Sequence, residues 1–140
     1  MACSAFVKGL CVPSIPGLPR IVKFIGKEVT VTWTEPDSDG GAEITGYLIA
    51  YTATDGSLAQ HVSVGVTTTA KLNENLSGGT SYVFAVAAMN TTGCGDFSLY
   101  SEPFKIPKYA GNKIYVLYYC NMIILSFGNI LYQYRLSLLQ

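Results

Sequence analysis

Residues 28–53 read EVTVTWTEPDSDGGAEITGYLIAYTA, and this stretch decides the fold. Val29, Val31 and Trp33 alternate with Glu28, Thr30 and Thr32, the two-residue period of a strand with one buried face. Residues 34–43 follow with one proline, two glycines and four acids, the composition of a turn-rich loop. Residues 44–53 alternate again, with Tyr47, Ile49 and Tyr51 on one face and Leu48 and Ala50 on the other. Two half-buried strands of this kind imply an antiparallel sheet.

Working outward, the pattern repeats. Pro16, Gly17 and Pro19 forbid a helix upstream, and RIVKFI (20–25) with a Gly26-Lys27 turn leads into the quoted strand. Thr54-Asp55-Gly56-Ser57 is a hairpin turn signal. Residues 58–64 and 67–72 read as weaker strands, and NENLSGGT (73–80) as a loop. SYVFAVAAMN (81–90) places Tyr82, Phe84, Val86 and Ala88 on one face, and TTGCGD (91–96) is a turn. SLYSEPFKI (98–106) is the last strand, with Pro103 marking a sheet edge. Seven short strands without a helical period predict an all-β, seven-stranded, two-sheet immunoglobulin-like sandwich; a β-barrel is the alternative.

Composition sets the boundaries. The 140 residues carry 9 Lys+Arg against 9 Asp+Glu, and only 13% are charged. A charged disordered chain is excluded, and so is nucleic-acid binding by a cluster of basic residues. All the charges but Arg135 precede residue 114. We therefore expect a short disordered leader at 1–15, one domain at 16–108 and an apolar tail at 109–140. Lys8 and Pro13 interrupt the leader, so it does not read as a secretory signal. The tail has 19 uncharged residues, 114–132, about the length of a membrane helix, with tyrosines near both ends. Asn121, Ser126 and Asn129 oppose that reading. The tail is open to three readings: a membrane span, a non-native extension, or a segment packed on the sandwich.

The domain resembles a fibronectin type III module over residues 16–107. Trp33 with its acidic Pro-containing loop matches that family. So do Asp39-Gly40-Gly41 ahead of Ile44 and Tyr47, Leu76-x-x-Gly79-Thr80-x-Tyr82, and Val86-x-Ala88-x-Asn90 with Gly93 and Gly95. The resemblance implies a structural core of Trp33, Tyr47, Leu76 and Tyr82. Tyr82 would be a tyrosine corner, its hydroxyl bonded to backbone upstream. The Arg-Gly-Asp of integrin-binding relatives is missing from 91–96, so that activity is not implied. The resemblance points to cell-surface adhesion receptors, with titin- and twitchin-like muscle proteins as the second reading. An accessory domain of a larger enzyme (receptor phosphatase, kinase or polysaccharide hydrolase) is the third.

Little in the sequence suggests catalysis. The single histidine, His61, has no nucleophile elbow near it, and no glycine-rich turn opens a helix. Glu35, Asp37, Asp39, Glu43 and Asp55 lack metal-loop spacing and read as solvated acids. Cys3, Cys11, Cys94 and Cys120 form no CxxC pair and read as free thiols or flanking residues. Asn75-Leu76-Ser77 and Asn90-Thr91-Thr92 are glycosylation sequons. The expectation is a non-catalytic interaction or spacer module from a larger multidomain protein, without a cofactor. Its partner is a protein met through loop residues Asp37, Asp39, Thr91, Thr92 and Asp96, with a membrane as a second partner through 114–132. Its location is the cell surface if the parent is exported and a sarcomere-like cytoplasm otherwise.

Overall fold

The computed structural model describes residues 9–108 and the backbone of 114–119, 122–127 and 130–135. Among the described residues all regular elements are strands: β1 (Arg20–Ile25), β2 (Glu28–Thr32), β3 (Gly46–Ala53), β4 (Gln60–Val64), β5 (Thr69–Leu72), β6 (Ser81–Asn90), β7 (Gly93–Cys94), β8 (Phe104–Lys105), β9 (Ile114–Tyr119), β10 (Met122–Phe127) and β11 (Ile130–Arg135). One sheet runs β11-β10-β9-β1-β2-β5; the other runs β4-β3-β6-β7, with β8 also on β6. Residues 20–105 thus form eight strands where the sequence predicts seven. The expected 98–106 strand shrinks to β8, and β7 is new.

The core sits between the sheets, where the alternating faces meet. Val29, Val31 and Phe84 have no exposed surface, and Tyr47 and Tyr51 are nearly as buried. Trp33 packs its indole edge-on against the Tyr47 ring, with centroids 5.3 Å apart. Such a pair adds about 0.5–1.5 kcal/mol to the area each ring buries. The Trp33 Nε1 is buried without a hydrogen-bond partner, so this side chain contributes through packing alone.

β6 is the spine of its sheet. It pairs with β3 over eight residues, from Gly46↔Met89 to Ala53↔Tyr82. On its other side regular pairing is confined to the two ends of β6, with β7 and with β8, and the stretch between them is irregular. Gly95, Ser98 and Ser101 donate their amides to the carbonyls of Ala88, Val86 and Phe84, so three residues face every two of β6. The Ser98 and Ser101 hydroxyls accept from the Val86 and Phe84 amides and close the gaps that this mismatch opens. Leu99 and Tyr100, looped out between the two serines, are 80% and 52% exposed.

Residues 114–135, where one reading placed a membrane helix, run as the antiparallel meander β9-β10-β11, and β9 pairs with β1. No helix among the described residues is long and apolar enough to cross a membrane. Residues 1–8 of the leader, with Cys3, and Cys120 of the tail lie outside the described residues.

Candidate functional site at the loop pole

β2 ends, β3 begins and β6 ends at one pole, bringing together the 33–45 loop, the 91–96 turn and residues 10–15. Residues 10–15 belong to the segment that the sequence reads as a disordered leader. Here they form a strap. The Cys11 amide donates to the Gly40 carbonyl at 2.8 Å, and the Ser14 amide to the Ser38 carbonyl at 2.9 Å. The Ser38 amide returns a bond to the Ser14 hydroxyl at 3.0 Å. Gly40 permits this approach. Its φ is +77°, and a Cβ there would lie 2.0 Å from the Cys11 carbonyl oxygen. Cys11 is disulfide-bonded, which differs from the free-thiol reading for that residue.

Asn90 joins all three segments. Its Nδ2 donates to the carbonyls of Cys11 and Asp39, both at 2.7 Å. Its Oδ1 accepts from the amides of Thr92 at 2.8 Å and Gly93 at 3.2 Å. The side chain is 6% exposed and uses both its donors. Nδ2, the atom a glycan would take, makes two hydrogen bonds in the folded chain. The other sequon residue, Asn75, is exposed, with φ of +55°.

The loop residues read as partner contacts divide into two kinds. Asp37, Thr91, Thr92 and Asp96 are exposed. Asp39 is exposed too, but its carboxylate accepts from the Gly41 amide at 2.8 Å and so shapes the turn. Glu35, Asp37, Asp39 and Glu43 line one open cleft with Ile44 and Val66, so the fold does collect four acids. Asp55 lies elsewhere, in the turn after β3. Among the described residues no three of His, Cys, Asp and Glu are grouped to hold a metal ion. Burial, and then the nearby Glu35 carboxylate, raise the Tyr47 pKa above its ordinary value. Cys94 is a free, exposed cysteine, but partial burial of its thiol and then the Asp96 carboxylate push its pKa up. Both effects disfavour the nucleophilic thiolate.

The opposite pole holds the Tyr82 corner. The Tyr82 hydroxyl donates to the Asn75 carbonyl at 3.3 Å and accepts from the Ser77 amide at 2.9 Å. Leu76 is buried in the same core. Where the chain leaves this pole, the Gly79 amide donates to the Ile106 carbonyl at 2.6 Å and the Ile106 amide to the Thr80 carbonyl at 2.8 Å.

Sequence reasoning missed the strap and the role of Asn90. One signal for the latter exists: an Asn followed by Thr-Thr-Gly at a strand end favours a side-chain-to-backbone turn at the second residue on. Nothing comparable marks residues 10–15, whose partners lie tens of residues away.

Comparison with known proteins places this architecture. The profile of the fibronectin type III domain matches residues 16–104. Protein sax-3 of Caenorhabditis elegans is 34% identical over 90 residues, 64% of this chain and 7% of that protein. The titin homolog of the same organism is 31% identical over 101 residues, 68% of this chain and a share of its own length that rounds to 0%. Among solved structures, the twitchin kinase region from C. elegans superposes with a TM-score of 0.65 at 26% identity, over 70% of this chain and 17% of that one. The chain therefore spans a small fraction of its relatives, and over most of its length it belongs to the fibronectin type III family.

Proposed function

We propose that this chain is a tension-bearing spacer and interaction module of a longer multidomain protein. Modules of the family are generally non-catalytic. One observation carries the spacer reading: the chain is anchored where it arrives and where it leaves, at opposite ends of β6. Cys11 and Ser14 fix the arriving strap near Asn90. Ile106 fixes the departing chain on Gly79 and Thr80, beside Tyr82. The ten residues of β6 between these anchors span about 30 Å. A load applied between residues 10 and 108 would therefore cross the whole sandwich. Kinship with titin-like and sax-3 modules supports the same reading. A protein partner would meet the exposed side chains of Asp37, Thr91, Thr92 and Asp96 at the loop pole.

Single-molecule pulling on the full chain, with handles at Leu10 and Lys108, tests the spacer. The expected record is an abrupt unfolding step preceded by a small extension as the strap lifts. Asn90→Ala should move the small extension to lower force and leave the main step nearly in place. Smooth extension with no step would sink the proposal.

A further inference from the structure

We propose that Asn75 is the acceptor of an N-linked glycan at the Tyr82 pole, with a lipid-pyrophosphate-linked oligosaccharide as the donor. The parent protein is then an exported one. The triplet Asn75-Leu76-Ser77 supplies what such a transfer needs, an amide nitrogen and a hydroxyl two residues on. Its presentation carries the argument. The Tyr82 hydroxyl donates to the Asn75 carbonyl and accepts from the Ser77 amide, so both backbone groups turn inward onto one atom. Leu76 between them is only 6% exposed and also points inward. Asn75 and Ser77 stand exposed on either side of it. Among the described residues Asn75 is the one non-glycine with a positive φ, +55°, a conformation that asparagine tolerates. Its amide lies within reach of the Tyr51 hydroxyl. Nδ2 carries two hydrogens, so that contact and a sugar can coexist. At Asn90 both hydrogens are already bonded.

The transfer balances without an oxidant. Nδ2 attacks the anomeric carbon of the first sugar, and a C–N bond forms. The C–O bond to the pyrophosphate breaks, the lipid pyrophosphate leaves, and the amide proton passes to a base of the transferase. A separate observation points to the compartment. Cys11 is disulfide-bonded, and such bonds persist along the oxidising export route. Placement gives the glycan a consequence. Gly78 and Gly79 lie against Pro107 and Lys108, where the chain leaves this pole. A bulky hydrophilic glycan at Asn75 would cover that end. The exposed Asp37, Thr91, Thr92 and Asp96 of the loop pole would stay open to a partner.

The test directs the full chain into the secretory lumen behind a cleavable signal sequence. The purified protein is treated, without denaturation, with an amidase that releases N-glycans in heavy-oxygen water. The tryptic peptide 72–105 holds Asn73, Asn75 and Asn90, and its fragmentation tells them apart. The expected result is heavy aspartate at residue 75 in most molecules. Ser77→Ala should abolish that label and Ser77→Thr should restore it. Neither change touches the Ser77 amide that Tyr82 holds, and amide exchange along β6 checks that both variants fold. Asn75 left bare in the wild type, a label that survives Ser77→Ala, or a label that appears only after denaturation overturns the proposal. Cys11 should resist alkylation until a reductant is added; a Cys11 that reacts freely in that lumen overturns the export reading.

Discussion

The two poles of the sandwich meet one requirement in different ways. Backbone groups at strand ends lose their ladder partners and must find others. At one pole the Tyr82 hydroxyl serves two backbone groups five and seven residues upstream. At the other the Asn90 amide reaches across 51 and 79 residues to Asp39 and Cys11. The first is a local clasp inside one loop. The second is a long-range latch that holds down the strap. Local closure requires little beyond the β6 strand itself. The latch requires the finished fold, because three separate segments must already be in place.

Substitutions should separate clasp from latch. Trp33→Ala removes the core beneath both and should cost about 3–5 kcal/mol by chemical denaturation. Both poles should then fail together; a variant melting like wild type would refute the core role of Trp33. Asn90→Ala removes the four bonds to part-buried backbone groups at the latch alone, about 1–3 kcal/mol, with faster amide exchange at Cys11 and Ser14. Unchanged exchange there would show that the strap is held by something else. Gly40→Ala should lift the strap, and with it the Asn90–Cys11 bond, at about 1–2 kcal/mol from backbone conformation alone. Tyr82→Phe should cost about 0.5–1.5 kcal/mol and leave the strap protected. Combined with Asn90→Ala it should be additive to about 0.5 kcal/mol, because the sites are far apart.

Acid titration gives the smallest effect. At the Tyr82 end, Ser57 donates its hydroxyl and amide to the Asp55 carboxylate and lowers its pKa below the ordinary value near 3.8. The folded state therefore favours the charged form. That contribution is present above the ordinary value and fades as pH falls through the lower folded value. Ser57→Ala should return the Asp55 NMR titration midpoint toward that ordinary value without affecting amide exchange at the strap. An unmoved midpoint would assign the shift to another group.

Much of this was legible in the sequence. The period-two faces of 28–33 and 44–53 and the glycine pair at 40–41 follow from local rules, because side-chain alternation and positive φ are properties of neighbouring residues. The stretch 98–106 was misjudged in extent for the same reason. Its residues have strand-like composition, but the three-for-two register with β6 depends on where two serine hydroxyls can reach the Val86 and Phe84 amides. The latch role of Asn90 was not legible because a triplet carries no record of which distant carbonyls its amide will reach.

The sequence by itself determined that this is an all-β module, the alternating faces of its central strands, and which large side chains fill it. Those features rest on interactions within a few residues along the chain. Only the tertiary structure decided that residues 10–15 lie on the loop pole, that Asn90 holds them there, and that β9 sits on the β1 edge. Each is a contact between segments far apart in sequence, and such contacts exist only after the sheets have packed.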